Sequence, residues 1–283
     1  MVEVMAARYP RPVRFLRARI QTWNRLGEQA AFYGRAVVST SHAVRSYGKE
    51  IMRLLAEMSL GTGALAIIGG TVVIVGFLTL SAGALIAVQG YNSLSNIGVE
   101  ALTGFLSAFL NVRIVSPVVA GIGLAATIGA GATAQIGSMR ISEEIDALEV
   151  MGIPSITYLA STRVVAGMIV VMPLYAVAVI MSFFAARLGT TVVYGQSAGV
   201  YDHYFWTFLR PTDLLWSFFQ AIAMALVVML IHTYYGYTAH GGPAGVGEAV
   251  GRAVRMSLVA AVSVTLMISL SVYGNAGNFN LSG

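Results

Sequence analysis

No cysteine occurs anywhere in the 283 residues, so neither a disulfide framework nor a thiolate metal site can hold this chain together. Charge is scarce too. Asp, Glu, Lys and Arg make up 10% of the chain, against roughly 25% in soluble domains. Between Met58 and Val99 there is none of them. No Gly-x-x-x-x-Gly-Lys-Ser/Thr stretch is present, so the chain has no phosphate-cradling loop of that kind. If nucleotide energy is used, another chain must bind the nucleotide. The first long apolar run begins near residue 60, too late for the apolar region of a signal peptide.

What is abundant is apolar sequence, at 57% of residues. A membrane-crossing helix needs about 20 apolar residues, and five stretches qualify, at about 62–88, 117–136, 156–186, 214–237 and 256–274. The expectation is an all-α integral membrane protein. It has a basic N-terminal segment (1–57), a membrane domain (58–275) and a short polar tail (276–283). Residues 91–113 read as a polar-to-amphipathic connection between the first two spans. Ten of the 17 Lys and Arg lie in residues 1–53, against Glu3, Glu28 and Glu50. A basic block can serve nucleic acid, but one that precedes a long uncharged run points to a membrane surface and no nucleic acid. Leu16, Ile20 and Trp23 fall on one helical face opposite Arg14, Arg17, Gln21, Arg25 and Glu28. Tyr47, Ile51 and Leu54 repeat the pattern beside Arg45, Lys49 and Arg53. Such helices lie in the headgroup plane of an anionic leaflet.

Loop charge sets orientation. One side receives the N-terminal ten plus Arg140, Arg163, Arg252 and Arg255, making 14; the other receives Arg113, Arg187 and Arg210. The N-terminus is therefore expected in the cytoplasm and the C-terminus in the periplasm, across an inner membrane.

The stretch from Gly137 to Pro154 organises the rest. It is a short charged segment set between two apolar ones. Ser142 is suited to cap a helix N-terminus, and Glu143 and Glu144 then sit where the helix dipole favours negative charge. Gly152 and Pro154 supply a stop. Ile141, Ile145 and Leu148 form an apolar stripe, while Glu143, Asp146 and Glu149 form an acidic one. The expectation is a helix with one face to bury and one face to offer a basic partner. The second span carries Gly121, Ala125, Gly129, Thr133 and Gly137 at steps of four. Small-residue stripes let helix backbones approach closely. The partner is another helix of this chain, a second subunit or a cavity wall.

Three further features resemble chemistry. Gly195-Gln196-Ser197-Ala198-Gly199 fits a nucleophile elbow, follows the strand-like Thr190–Tyr194, and has His203 and Asp213 downstream; an elbow needs a sheet, and about 25 residues cannot build one. Gly121-Ile122-Gly123-Leu124-Ala125-Ala126 imitates a dinucleotide fingerprint but sits inside a span with no strand before it. His232 is ionisable and intramembrane, hence a functional candidate, although a packed, hydrogen-bonded histidine explains it equally. With no chain of Asp, Glu or Arg through the spans, a proton-coupled carrier or ion channel is disfavoured, and an apolar or amphipathic cargo fits better.

Four stretches together resemble the YrbE/MlaE permease family of Mce-type lipid ABC transporters: Gln89-Gly90-Tyr91; Arg113-Ile114-Val115-Ser116-Pro117; Ala134-Gln135-Ile136-Gly137-Ser138-Met139-Arg140 leading into Glu143-Glu144-Ile145-Asp146-Ala147-Leu148-Glu149-Val150-Met151; and Gly236-Tyr237 with Arg252 and Arg255 beyond. The basic extension is similar to that of actinobacterial members, and among the two sister types the resemblance is to the B-type partner. The resemblance implies a five-span fold and a non-catalytic permease subunit without a cofactor of its own, ATP and Mg being held by a dimeric cytoplasmic ATPase. That ATPase would grip Ser142, Glu143, Glu144, Asp146, Leu148, Glu149 and Met151. Lipids would meet Tyr91, Leu94, Ile97, Leu102, Phe105, Leu106 and Phe109, together with Gly121, Ala125 and Gly129, at a lipid or subunit contact. Mce proteins would dock outside and conduct fatty acids, mycolic acids or sterols, in the direction of import. The family usually has Arg-Glu-Leu-Gly-Pro at 113–117, and Arg and Glu where Thr127 and Gln135 stand. These losses imply a heterodimer with a sister YrbE-type permease that keeps the charges. The competing expectations are a membrane-embedded lipid-modifying enzyme and a structural anchor for Mce proteins.

Overall fold

In a computed structural model the described residues are 10–60 and 66–273, with side chains placed from Trp23 to Met58, Arg25 excepted, and from Gly70 to Val272. The side chains of the expected apolar face at Leu16 and Ile20, the start of the first span at 62–65 and the tail at 276–283 lie outside what is described. Three helices come first: α1 (Pro10–Val38), α2 (Thr40–Ser46) and α3 (Gly48–Leu60). Five helices long and apolar enough to cross a membrane follow or include α4 (Ala66–Ser95), α5 (Glu100–Ile141), α7 (Ile156–Val193), α9 (Pro211–Tyr237) and α10 (Gly242–Tyr273). The short helices α6 (Glu144–Val150) and α8 (Ala198–Phe208) lie at opposite ends of the bundle, between α5 and α7 and between α7 and α9. No strand occurs among the described residues. The all-α membrane architecture read from the sequence is the one observed.

Apolar surface cannot drive these helices together in lipid, so close packing and polar contacts must. α4 packs along α7, α9 pairs with α10, and α9 also lies on α5 and α7. Glycines mark the closest approaches. A Cβ on Gly83 would strike the Ser182 carbonyl, and one on Gly236 would come within 2.9 Å of the Thr133 carbonyl oxygen. Hydroxyls stitch the seams: Thr71 donates to Thr127 at 3.0 Å, and Ser161 donates to the Ala36 carbonyl at 2.8 Å. Phe32 and Ala36 of α1 join the main core beside Leu124, Val171, Leu174 and Met229. On the outside, Phe77, Leu85, Met267 and Leu270 are each about two-thirds exposed or more, at 68, 66, 69 and 70%. Rows of this kind are untenable in water and normal against lipid or another membrane chain.

The second span departs from expectation. Residues 91–113 do not form a connection. α4 runs on to Ser95, the chain reverses at Gly98 with φ of 72°, and α5 begins at Glu100. α5 has 42 residues, about 63 Å at 1.5 Å per residue, well beyond the ~30 Å hydrocarbon layer. A wide π-helical turn at Asn111–Val115 precedes Pro117, where a missing N–H and a bulky ring would otherwise collide with the preceding turn. A second lies at Ala125–Gly129. The third span also runs further than expected. Thr190–Val193, read as strand-like, is helical, with Thr190 Oγ1 donating to the Ala186 carbonyl at 2.9 Å.

Arg163, counted from sequence among loop charges, is inside α7 and only 4% exposed. Its Nη1 donates to the Leu159 carbonyl at 3.1 Å and its Nη2 to Gln135 Oε1 at 3.4 Å. Gln135 Nε2 donates in turn to Glu57 on α3 at 2.6 Å. Arg53 pairs with Glu50 and, at 3.5 Å, with Glu57. The Glu50 carboxylate beside it holds the Arg53 guanidinium above its ordinary range. This polar cluster fastens α3 to α5 and α7 at the end of the bundle that carries α6.

At the opposite end Arg113 Nη2 donates to Asp213 Oδ2 at 2.9 Å, and its guanidinium lies 4.3 Å from the centre of the Phe109 ring. Both partners of the ion pair are mostly shielded, with side-chain exposures of 21 and 17%. Asp213→Ala is expected to cost about 2 kcal/mol, the usual loss for a shielded hydrogen bond to a charged group. The apparent melting temperature of the detergent-solubilised chain checks this. Asp213→Asn should lose less, because an amide oxygen still accepts.

Candidate functional site

The charged segment between α5 and α7 forms a lever-shaped elbow. α5 stops at Ile141, and Ser142 caps that end rather than opening the next helix. Its hydroxyl reaches the Ser138 carbonyl at 3.0 Å and Glu144 Oε1 at 2.8 Å. The expectation that Ser142 is the N-cap of the short helix is therefore corrected. That position belongs to Glu143, which makes no side-chain cap and has φ of 61°. It is the one non-glycine with positive φ among the described residues. A left-handed side-chain-bearing residue costs roughly 1–3 kcal/mol and persists where surrounding structure over-determines it. Here the two flanking helices are both anchored, and the reversal must fit between them. The C-terminal stop is as expected. Gly152 (φ 76°) donates to the Glu149 carbonyl and Ile153 to the Leu148 carbonyl, both at 3.0 Å, which is a Schellman closure.

Ile145 is fully buried and Leu148 half-buried, against Ile136, Leu159, Met139 and Tyr237. This is the apolar stripe read from the sequence. The acidic stripe is divided. Asp146 pairs with Arg140 of the same chain at 2.7 Å. Glu149 Oε1 accepts from Ser155 at 2.6 Å and from the Tyr237 hydroxyl at 3.1 Å. Glu143 and Glu144 are exposed, and so are Asp146 and Glu149 despite their partners. Beside them Val150 and Met151 are 89 and 66% exposed. The face turned away from the bundle thus combines two carboxylates with two apolar side chains. Sequence reasoning named Met151 and missed Val150. The signal was present, since position 150 lies opposite 141, 145 and 148 around a helix of 3.6 residues per turn. An open groove of about 460 Å³ runs beside this elbow, lined by Arg35 and Ser39 of the α1–α2 junction, Glu149, and residues 152–157.

The residues expected to meet lipid or a second subunit are spread over the other end. Tyr91 stacks on Tyr194 with ring centres 4.5 Å apart, and Phe105 meets Phe208 at 4.6 Å. Leu94, Leu102, Leu106 and Phe109 are half-buried, and Ile97 is 72% exposed. Tyr201 of α8 donates to Ser107 at 2.8 Å, and burial pushes its phenol up to about 12. Next to it the Arg187 guanidinium holds the Asp202 carboxyl below the ordinary carboxylate range. Gly121, Ala125 and Gly129 do not face outward in this chain. A Cβ on Gly121 would lie 3.1 Å from Met224 Cε, one on Gly129 would lie 2.7 Å from the His232 ring, and Ala125 is 1% exposed. Their stripe packs against α9, the internal alternative. His232 is fully buried, with Nδ1 2.7 Å from Thr133 Oγ1 and Nε2 3.2 Å from Ser257 Oγ. Both ring nitrogens have hydroxyl partners. Of the elbow-like serine motif, Ser197 precedes α8 without a sheet beneath it, and Asp213 is committed to Arg113.

A family model described as permease MlaE matches residues 61–271, from before α4 to two residues short of the end of α10, with the elbow between. The chain belongs to the MlaE permease family. It is 27% identical over 251 residues to a probable ABC transporter permease protein of Rickettsia felis, covering 88% of this chain and 94% of that one. It is 26% identical over 198 residues to the intermembrane phospholipid transport system permease protein MlaE of Haemophilus influenzae, covering 68% and 74%. To the chloroplastic protein TRIGALACTOSYLDIACYLGLYCEROL 1 of Arabidopsis thaliana it is 28% identical over 196 residues, 69% of this chain. The match spans little more than half of that relative, 56%. As an MlaE-family permease the molecule is a multi-pass membrane protein, and its elbow is a part of the family's shared region.

Proposed function

We propose that this chain is the membrane subunit of an ATP-driven lipid transporter, and that its elbow is where a separate cytoplasmic ATPase delivers mechanical work. The observation that carries the reading is the outward face of α6. Glu143 and Glu144 stand beside the exposed Val150 and Met151, at the junction of the second and third spans. Two apolar side chains held out among carboxylates are costly to leave in water and suited to a partner that is basic at its rim and apolar at its centre. The permease names of its relatives support the same reading, and the phospholipid-transport name of one supports a lipid cargo. On this reading the elbow and the N-terminus are cytoplasmic and the chain's end is periplasmic, in an inner membrane. ATP and Mg are bound by the ATPase. The exposed rows on α4 and α10 meet lipid or a sister permease in a heterodimer. Mce proteins dock at the end that carries Ile97, and the cargo is a fatty acid, mycolic acid or sterol moving inward.

The experiment is to capture the tagged full-length chain from its native membrane and identify bound proteins and lipids by mass spectrometry. An ABC-type ATPase, a non-identical permease, an Mce protein and a lipid are expected. Absence of any ATPase would overturn the reading, and a stable ATPase-competent homodimer would remove the sister subunit from it.

A further inference from the structure

The four acids of the elbow have different surroundings, and one of them is joined to the fourth span. Glu149 Oε1 receives Ser155 Oγ at 2.6 Å and Tyr237 Oη at 3.1 Å, and the two hydroxyls are 2.9 Å apart. Two hydroxyls carry two protons for three short edges. With both donated to the carboxylate, Ser155 and Tyr237 are held together by their shared acceptor. Bonds to an ionised acceptor are the strong ones. Ser155 sits where α7 begins and Tyr237 is the last residue of α9, so one carboxylate ties the short helix to two spans.

Tyr237 gathers further elements. Its ring lies 5.4 Å from Phe32 of α1, and the Arg140 guanidinium at the end of α5 is 5.9 Å from the ring centre. One residue earlier, Gly236 lies against the Thr133 backbone. One turn earlier, His232 bridges Thr133 of α5 and Ser257 of α10. From the elbow there is thus a continuous set of polar and close-packed contacts into the seam of α5, α9 and α10.

We infer that Glu149 and Tyr237 form a clamp that makes the fourth span move with the elbow, and that neither residue is a contact for the ATPase. Both are positioning residues. The inference rests on the ATPase-coupled reading above and divides the elbow in two: Glu143, Glu144, Val150 and Met151 receive the push, and Glu149 with Tyr237 passes it on.

The test is hydrogen–deuterium exchange of the intact complex captured from its membrane, without nucleotide and with ATP plus vanadate. In the unaltered complex, amides across 145–151 and across 233–239 are expected to respond to nucleotide together. Tyr237→Phe removes one hydroxyl and keeps the ring. It is expected to retain the ATPase in parental amount, to raise nucleotide-free exchange across 145–151 roughly thirtyfold, the equivalent of one lost hydrogen bond to a charged group, and to abolish the response at 233–239. Glu149→Gln, which keeps one accepting oxygen, should fall between the two. A Tyr237→Phe complex whose 233–239 amides still respond overturns the clamp, and so does loss of the ATPase from it. Failure of the underlying reading is distinguishable, because no ATPase then accompanies even the unaltered chain. In that case the nucleotide-free exchange decides the clamp, and an unchanged rate across 145–151 overturns it.

Discussion

A chain carrying Glu144→Lys together with Met151→Asp is expected to lose the proposed ATPase partner while keeping its fold. Met151 is 66% exposed, and the Glu144 side chain is hydrogen-bonded to its neighbour Ser142 alone among the bonds described. Neither side chain is needed for packing. If both lie under the ATPase, reversing one charge and burying another without a partner should cost several kcal/mol, since truncating one side of a buried charged contact alone costs about 2–5 kcal/mol. Association should weaken at least about 30-fold, corresponding to the low end of that range. Quantitative pull-down from detergent extracts measures it. Asp146→Asn on the same helix is the contrast. Its ion pair with Arg140 is largely exposed, at 60 and 38%, and such pairs contribute about 0–1 kcal/mol. Full retention of the ATPase by the double variant would move the docking surface elsewhere.

Gln135→Leu is expected to destabilise the chain by about 2 kcal/mol, the usual cost of removing a hydrogen bond to a charged group, and Arg163→Met added to it should restore most of the loss. The amide uses both of its ends. It accepts from the buried Arg163 and donates to Glu57. A leucine leaves the guanidinium with the Leu159 carbonyl and leaves Glu57 with the longer of the Arg53 contacts. Removing Arg163 as well takes away the buried charge that needed an acceptor, and replacing buried ionic groups by apolar ones of similar volume is often neutral. The double-mutant cycle, read as thermal stability in detergent, is therefore expected to be strongly non-additive. Additive losses would show that the two side chains act separately.

Much of this was visible in the sequence. The elbow's apolar stripe at Ile145 and Leu148 and its stop at Gly152 depend on local spacing and on one glycine, and both are legible in one dimension. Its start was not. Ser142 is a good N-cap by type, but the end of α5 lies immediately before it and competes for the hydroxyl, which pushes the reversal onto Glu143. The segment 91–113 was misread because its polar residues are scattered, whereas Leu102, Phe105, Leu106 and Phe109 share helical spacing and Gly98 makes the turn. The stripe of small residues was legible as a surface for close approach. That Met224 and His232 fill it could not be read, because the pairing of spans is a tertiary fact. Arg163 shows the same limit: counting charges in loops cannot tell an exposed guanidinium from one folded under α3.

The two wide turns in α5 have a consequence for how this chain tolerates change. Each holds an additional residue relative to the ordinary 3.6-per-turn cadence, so losing a residue at Ala125–Gly129 can be absorbed by tightening to a regular coil. The regular stretch Ala130–Ile141 has no such slack. A single deletion there would rotate everything beyond it by about 100°, turning Glu144 and Met151 aside from any motor beneath them while the span above stayed intact.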